Sequence, residues 1–486
     1  MDKWVGNIEE IQKRVLRRII STGKCSEYGH RHGLKDNMGY NDFKRNAEIN
    51  HYEDIRPMVE RMLKGEKDIL WPGKVRNFAQ SSGTSDGLSK YIPITEEGLK
   101  ENHIGGASMA VACYLRNYSD STLFSGKSFI LGGSFSNTVN FDIPNNVKVG
   151  DLSATLISRV PRIVEMLFRV PERKIALMED WEKKLPALIE ASAKKNITNI
   201  SGVPSWFMTV LNGVLDYTGK KNIKEVWPNL EVFFHGGISF EPYREQYSQL
   251  MGEENIRYVE NYNASEGFFA VQDQRDDNAM RLLMDHGVFY EFLESGASEA
   301  VPSWEVEEGK VYELIITSIN GLWRYSPGDT VRIESADLLR IRIVGRTKHF
   351  INAFGEEVMV YNADAAIKTA CERTGAAIEN YTAAPLYAEG KTKGRHQWLI
   401  EFSKEPEDIE NFAMELDNAL RRENSDYDAK RSHSLFLDRA LVVKARKGVF
   451  DEWLGSTGKL GGQRKIPRLN NDRKIIEQLL KLNQRP

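Results

Sequence analysis

Short apolar runs of strand length alternate along this chain with longer amphipathic stretches: SFILGGS, then ITNISGVPSWFMTVLNGVLDY, then LEVFFHGGISF, then EPYREQYSQLMG. A buried strand is a short block of apolar residues, whereas a helix repeats them three and four apart. Regular exchange between those two periods predicts an α/β fold. Near Val288 the pattern changes. VFYEFL, KVYELIITS, WRYSPGDTVRI and LRIRIVG read as successive strands separated by turn residues and predict an antiparallel β subdomain closing a large unit of parallel or mixed sheets.

Beyond Gly345 come a strand pair, FINAFGEEVMV, a helix from about Tyr361 to Thr374, a strand QWLIEFS, a charged helix, LVVKARKGVF and a basic, Gly-rich tail. That remainder has the size of one small α+β domain. The expected division is therefore a large N-terminal domain, 1–344, and a small mobile C-terminal α+β domain, 345–486. At the start of the chain, Val5, Ile8, Ile11, Val15, Leu16 and Ile19 mark an amphipathic first helix.

Composition excludes several classes. The 486 residues hold 66 Lys plus Arg against 69 Asp plus Glu, so no excess of positive charge exists to recruit a nucleic-acid backbone. Cys25, Cys113 and Cys371 are too few and too scattered for a disulfide framework or a zinc cluster, which fits a reducing cytoplasm. Charges interrupt the N-terminal apolar positions, and no run of about 18 apolar residues occurs anywhere, so neither a secretory signal nor a membrane span is expected. No obligate protein partner is implied.

Four patterns carry chemistry. Ser81-Ser82-Gly83-Thr84-Ser85-Asp86-Gly87 packs hydroxyls and glycine amides into one loop that can surround a polyphosphate, although a polar turn has the same composition. It is not a P-loop, since only three residues separate Gly83 from Gly87. Glu260-Asn261-Tyr262-Asn263-Ala264-Ser265-Glu266-Gly267 combines a ring for adenine, a hydroxyl for a phosphate and a carboxylate for Mg²⁺; alone it also reads as a capped strand end. In Trp323-Arg324-Tyr325-Ser326-Pro327-Gly328-Asp329 a Pro-Gly turn delivers a carboxylate to a strand start, where it can accept two ribose hydroxyls; alone it also reads as a hairpin turn. The segment from Gly458 to Arg468 carries several cations among glycines and can bring an ammonium to an active site, or simply be a solvated tail.

Taken in order, phosphate loop, Tyr-x-x-Ser-Glu, Tyr-x-x-Gly-Asp, a Gly-Arg hinge region and a late lysine resemble the adenylate-forming enzyme superfamily. SSGTSDGLSKYIPIT, NYNASEG and WRYSPGDTV look like the motifs of one branch, the auxin-responsive acyl-acid amido synthetases, and SGVPSWFMTVLNGV, VWPNLEVFFHGGISFEPYR, GRTKHFINAFGEEV and GGQRKIPRL look like their bacterial-type members. The resemblance implies a ligase that uses ATP and Mg²⁺ to convert a small carboxylic acid to its acyl-adenylate and passes the acyl group to an amino acid. By the same resemblance, Ser81, Ser82, Gly83, Thr84 and Ser85 hold the phosphates, Tyr262 packs on adenine, Ser265 approaches the α-phosphate, Glu266 carries Mg²⁺ and Asp329 binds the ribose. Gly236 and Gly237 let adenine lie on the main chain, and Ala264 and Arg346 belong to the nucleotide site. Lys465 resembles the mobile domain's catalytic lysine, with Lys459 as second candidate.

Val203, Trp206 and Phe207, around a Pro204 expected to open a helix, are candidates for an apolar acyl wall, with core packing as the competing role. His103 and His235 are candidates by position for the base that the amine step needs. Three other functions compete: acyl transfer to coenzyme A, nucleotide binding without catalysis, and a serine hydrolase suggested by His235-Gly236-Gly237. The last lacks a Gly-x-Ser-x-Gly nucleophile after a strand.

Overall fold

The computed structural model describes residues 4–81, 90–135, 142–238, 240, 243–252, 256–275, 277–294, 297–346, 350–387, 393–432, 437–456 and 467–484. The chain forms two units, one of Met1–Ser81, Lys90–Gly237 and Tyr247–Thr347, the other of Ser82–Ser89, Ile238–Gln246 and Lys348–Pro486.

In the first unit, β1 (Asn77–Ser81) pairs antiparallel with β2 (Lys90–Ile94) and parallel with β4 (Lys148–Gly150). The larger sheet draws on β3 (Lys127–Ile130), β5 (Arg169–Val170), β6 (Ile197–Gly202), β7 (Val232–Gly236), β8 (Arg257–Ala264), β9 (Gly267–Gln272), β10 (Met280–Leu282), β11 (Val288–Glu294), β12 (Val301–Pro302), β13 (Val311–Ser318), β14 (Asp329–Ser335) and β15 (Arg340–Arg346). Its strand order is β12-β11-β13-β14-β15-β10-β9-β8-β7-β6-β3-β5. From β5 to β8 neighbouring strands run parallel; from β8 onward they are antiparallel. The predicted antiparallel part is present, and its strands continue the parallel sheet across β8, the seam.

Local sequence explains the elements around that seam. The helix Pro204–Thr218 has Pro at its first position and stops at Gly219, whose φ of 68° suits a residue without Cβ. The first helix, Ile8–Gly23, buries Ile11, Val15, Leu16, Ile19 and Ile20, while Val5 stays outside it and exposed. It also buries Gln12, which apolar periodicity cannot anticipate. The Gln12 amide donates to the carbonyls of Met284 (2.7 Å) and Val288 (3.0 Å), and its oxygen accepts from Tyr290 N–H (2.9 Å), sewing the helix to β11.

EEGLKENHIGGASMAVACYLRNY is less buried than its composition suggests. It forms a π-helical turn, Gly98–Ile104, running into the helix Gly105–Asn117, with one buried face that includes Leu99, Asn102, His103, Gly106, Ala110, Cys113 and Tyr114. Gly106 is required there, because a Cβ would lie 2.5 Å from the Phe268 ring.

The second unit contains the hairpin β16 (Phe350–Ile351) and β17 (Val358–Met359), the helix Val360–Thr374, and a sheet ordered β18 (Ala377–Leu386), β19 (Arg395–Lys404), β20 (Leu441–Ala445). The segment Ile238–Gln246 clusters with it: the Tyr243 hydroxyl donates to the Ala353 carbonyl at 2.6 Å. That segment lies inside the span 1–344.

Candidate active site

In open α/β sheets, ligands bind outside the carboxyl ends of the strands, where strand order changes. Here the strand order changes between β3 and β6, and β7 and β8 end on the same side of the sheet. Gly236 ends β7 opposite Asn261 of β8, and a Cβ on it would lie 2.4 Å from the Asn261 carbonyl oxygen, so the two backbones meet this closely only through glycine. Gly237 follows at φ 83°.

Strand β8 carries the second motif into a tight hairpin with β9, with a register shift at Tyr262 and Asn263. Tyr262 is buried, its ring edge-on to Phe269 at 5.0 Å, and its hydroxyl donates to Asp329 Oδ2 at 2.6 Å. Thus the second and third motifs, 67 residues apart, meet in one hydrogen bond between a buried phenol and a buried carboxylate. Ser265 and Glu266 form the hairpin turn; Glu266 is 7% exposed, and Tyr325 Oη lies 3.5 Å from its Oε1. Ala264 ends β8 on the rim of the core.

The third motif differs from the hairpin turn that its Pro-Gly suggests. Trp323, Arg324, Tyr325, Ser326 and Asp329 are all buried. Arg324, at φ 40°, forks onto Glu291 through Nε and Nη2, both at 2.9 Å, and donates from Nη1 to the Ala47 carbonyl at 2.8 Å. Its backbone N–H is satisfied by Thr317 Oγ1 at 3.0 Å. Trp323 stacks on Tyr28 with centroids 5.2 Å apart. Asp329 then opens β14, where its backbone pairs in register with Arg346 of β15.

Two positioning side chains were not legible as such. Asn102 accepts from Phe268 N–H at 2.7 Å and donates to the Phe268 carbonyl at 3.1 Å, pinning the hairpin that carries Glu266. The π-turn that carries Asn102, a kind of turn that clusters at functional sites, shows only in the fold. Lys184, 2% exposed, donates to the Gly132 carbonyl at 2.7 Å, and burial pushes its pKa down to about 8 against the pull of Asp151.

Of the acyl-wall candidates, Phe207 is fully buried and packs edge-on to Phe129 and Phe233, as a core residue does. Val203 caps the Pro204–Thr218 helix and Trp206 meets Trp181 edge-on at 6.2 Å; both are half-buried. His103 is 1% exposed, neither ring nitrogen has a hydrogen-bond partner among the described residues, and burial pushes its pKa down to about 4. That makes it a weak proton acceptor. His235 is buried near the end of β7, opposite Glu260. Ser81 ends β1, whereas Ser82, Gly83, Thr84, Ser85, Lys459 and Lys465 lie outside the described residues. None of the described helices is long and apolar enough to cross a membrane.

The GH3 family N-terminal domain matches residues 1–256, the central domain 281–346 and the C-terminal domain 361–474. The indole-3-acetic acid-amido synthetase GH3.3 of Arabidopsis thaliana is 23% identical over 99% of this chain and 92% of its own length. The 4-substituted benzoates-glutamate ligase GH3.12 of the same plant is 23% identical over 97% and 95%. Among solved structures, the AtGH3.15 acyl acid amido synthetase in complex with 2,4-DB superposes with a TM-score of 0.62 at 19% identity, covering 98% of this chain and 94% of its own. A 2-hydroxyisobutyryl-CoA ligase in its thioesterification state gives 0.60 at 13% identity over 98% and 92%. With the N-terminal domain match alone spanning more than half of the chain and the central and C-terminal matches following in order, the protein belongs to the GH3 family.

Proposed function

We propose that the protein is an ATP-dependent acyl-acid amido synthetase, a ligase that forms a carbon–nitrogen bond through an acyl-adenylate. A carboxylate oxygen of the acid attacks the α-phosphorus of ATP, the bond to the bridging oxygen breaks, and pyrophosphate leaves. The amine nitrogen of an amino acid then attacks the acyl carbon, the bond to AMP breaks, and the nitrogen sheds a proton as the amide forms. The relatives named as an indole-3-acetic acid-amido synthetase and as a 4-substituted benzoates-glutamate ligase support this reading. The single observation that carries it is the Tyr262–Asp329 hydrogen bond at the β8 seam, which joins two family motifs at the strand ends where a nucleotide binds.

Each step asks mostly for positioning and charge balance. Tyr262 packs on adenine and, through its hydroxyl, holds one side of the Asp329 carboxylate, so that the remaining lone pairs receive the ribose hydroxyls, and the Gly236–Gly237 main chain accepts adenine. Ala264, Ser265 and Arg346 complete the nucleotide site, and Ser81 through Ser85 bind its phosphates. Mg²⁺ fits the donor set, because an ion riding on a nucleotide's phosphates needs only a carboxylate such as that of the buried Glu266. When bound, it supplies charge neutralisation for the phosphates. Val203 and Trp206 form the acyl wall, with Phe207 behind them. Span 1–344 binds ATP and acid, and span 345–486 contributes Lys465, which balances charge on the α-phosphate.

The test is pyrophosphate release from ATP with a panel of aryl, indolyl and fatty acids, run separately with mixed amino acids and with coenzyme A. Release that needs both acid and amino acid, with an amide seen by mass spectrometry, is the expected result. Turnover with coenzyme A alone moves the protein to thioester formation, and an absence of acid-dependent release defeats the reading.

A further inference from the structure

In the first unit, the helix Arg162–Phe168 is turned inside out. None of its residues is buried, and Ile163, Val164, Met166, Leu167 and Phe168 are between 42% and 69% exposed. Its one carboxylate faces the protein instead: the Glu165 side chain is 11% exposed, accepts from Arg169 Nη2 at 2.8 Å and pairs with Arg173 Nη2 at 3.1 Å. A surface helix bathed in water does the opposite, burying its apolar stripe and leaving its charges outside. Lys127, at the start of β3, donates to the Met166 carbonyl at 2.6 Å, and Phe124, in the turn just before it and 64% exposed, adds a sixth large apolar side chain on this edge.

Cations flank the patch. From Arg159 to Lys174 the chain carries five cations and two carboxylates, in a protein whose net charge is −3. Glu96 neutralises Arg159, and Glu165 serves Arg169 and Arg173. Arg162, which opens the helix, Lys127 at its C-terminal carbonyls and Lys174 in the following helix Arg173–Ala176 have no carboxylate partner among the described residues, and only Glu172 opposes them. A contiguous apolar patch of this kind marks an interaction site. A second copy of the chain suits it badly, because a two-fold contact sets the same surplus cations against themselves. The adjacent edge strand β5 ends at Pro171, which has no N–H with which to extend the sheet into a neighbour. The partner that fits is apolar and anionic at once, as is a bilayer containing acidic phospholipids.

We propose that the helix Arg162–Phe168 and Phe124 form a docking face for anionic phospholipid bilayers: the apolar side chains enter the boundary between headgroups and acyl chains, while Arg162, Lys127 and Lys174 meet lipid phosphates. The contact is peripheral, since none of the described helices is long and apolar enough to cross a membrane. The Glu165 network holds the helix in its inverted setting, because rolling the helix over would strand Arg169, whose side chain is 4% exposed, without its carboxylate. Docking of this kind is independent of the reaction catalysed.

The experiment is flotation of the full chain with vesicles of phosphatidylcholine alone and of phosphatidylcholine mixed with phosphatidylglycerol, with light scattering on the same protein without lipid. Wild type is expected to bind the mixed vesicles at least about tenfold more tightly than the neutral ones. Salt should release it progressively as the screening length falls from about 10 Å at 0.1 M to about 3 Å at 1 M. Arg162→Ala should weaken binding to mixed vesicles about fivefold, the share of one cation at an acidic surface. Met166→Glu combined with Leu167→Glu should abolish flotation without lowering the thermal midpoint, because both side chains stand in solvent. The lipid and salt dependence of wild type needs no variant and decides the matter alone if the variants fail to fold. Equal binding to both vesicles, binding to neither, or flotation retained by the double variant would overturn the proposal. So would a dimer in solution that the double variant dissociates while wild type ignores vesicles, which would give this face to a second copy of the chain.

Discussion

Glu291 is fully buried and accepts three hydrogen bonds: Arg324 Nε and Nη2, both at 2.9 Å, and the Tyr40 hydroxyl at 3.0 Å. Replacing it with Gln keeps the shape but strips the charge from one partner of a buried pair, and the guanidinium cannot deprotonate to escape. Breaking such a pair from one side costs about 3–5 kcal/mol, a large share of the 5–15 kcal/mol that holds a typical domain together. With a urea dependence of about 3 kcal/mol/M, the midpoint for the first unit should fall by about 1 to 1.7 M. Because a two-unit chain need not unfold in one step, the assay is urea-dependent hydrogen exchange read on peptides covering β11 and β13. Adenylation should fall as well, since Arg324 holds the buried turn that ends at Asp329. The double variant Glu291→Leu, Arg324→Met should regain most of the stability, because two apolar groups leave no stranded charge. A midpoint within about 0.3 M of wild type for Glu291→Gln, below about 1 kcal/mol, would refute the account of this turn.

Lys465→Ala should slow adenylation about 10²–10³-fold while ATP binding, followed by calorimetry, is largely kept; an unchanged rate would transfer the role to Lys459. Gly236→Ala puts a Cβ 2.4 Å from a carbonyl oxygen that cannot rotate away, so β7 and β8 must separate; a loss of about 1–3 kcal/mol in thermal melts is expected, with weaker nucleotide binding. His103 is neutral in the fold and its pKa is lowered from 6.5 to about 4, so between those pH values the unfolded chain binds more protons and stability falls as pH falls. His103→Leu should flatten that acid limb by up to about 3 kcal/mol at pH 4, and an unchanged limb in pH-dependent urea melts would show that His103 finds a partner for its proton.

The alternation of strand and helix periods determined the α/β architecture, because burial on a sheet face and on a helix face imposes different spacings on apolar residues. The motifs were equally local: a glycine at a strand exit, a Pro-Gly turn and a Ser-Glu pair in a hairpin keep their chemistry wherever they fold. Sequence also named Tyr262, Glu266 and Asp329 as one site, but by resemblance and order, not by contact. Only the tertiary structure decided that the Tyr262 hydroxyl turns to Asp329, and that the antiparallel strands extend the parallel sheet across β8. Likewise Gln12, Asn102 and Lys184 are polar residues whose burial depends on carbonyls brought to them from distant segments. Hydrophobic periodicity registers which face of an element leaves water, whereas a buried hydrogen bond depends on the orientation of two groups that the chain brings together only after folding.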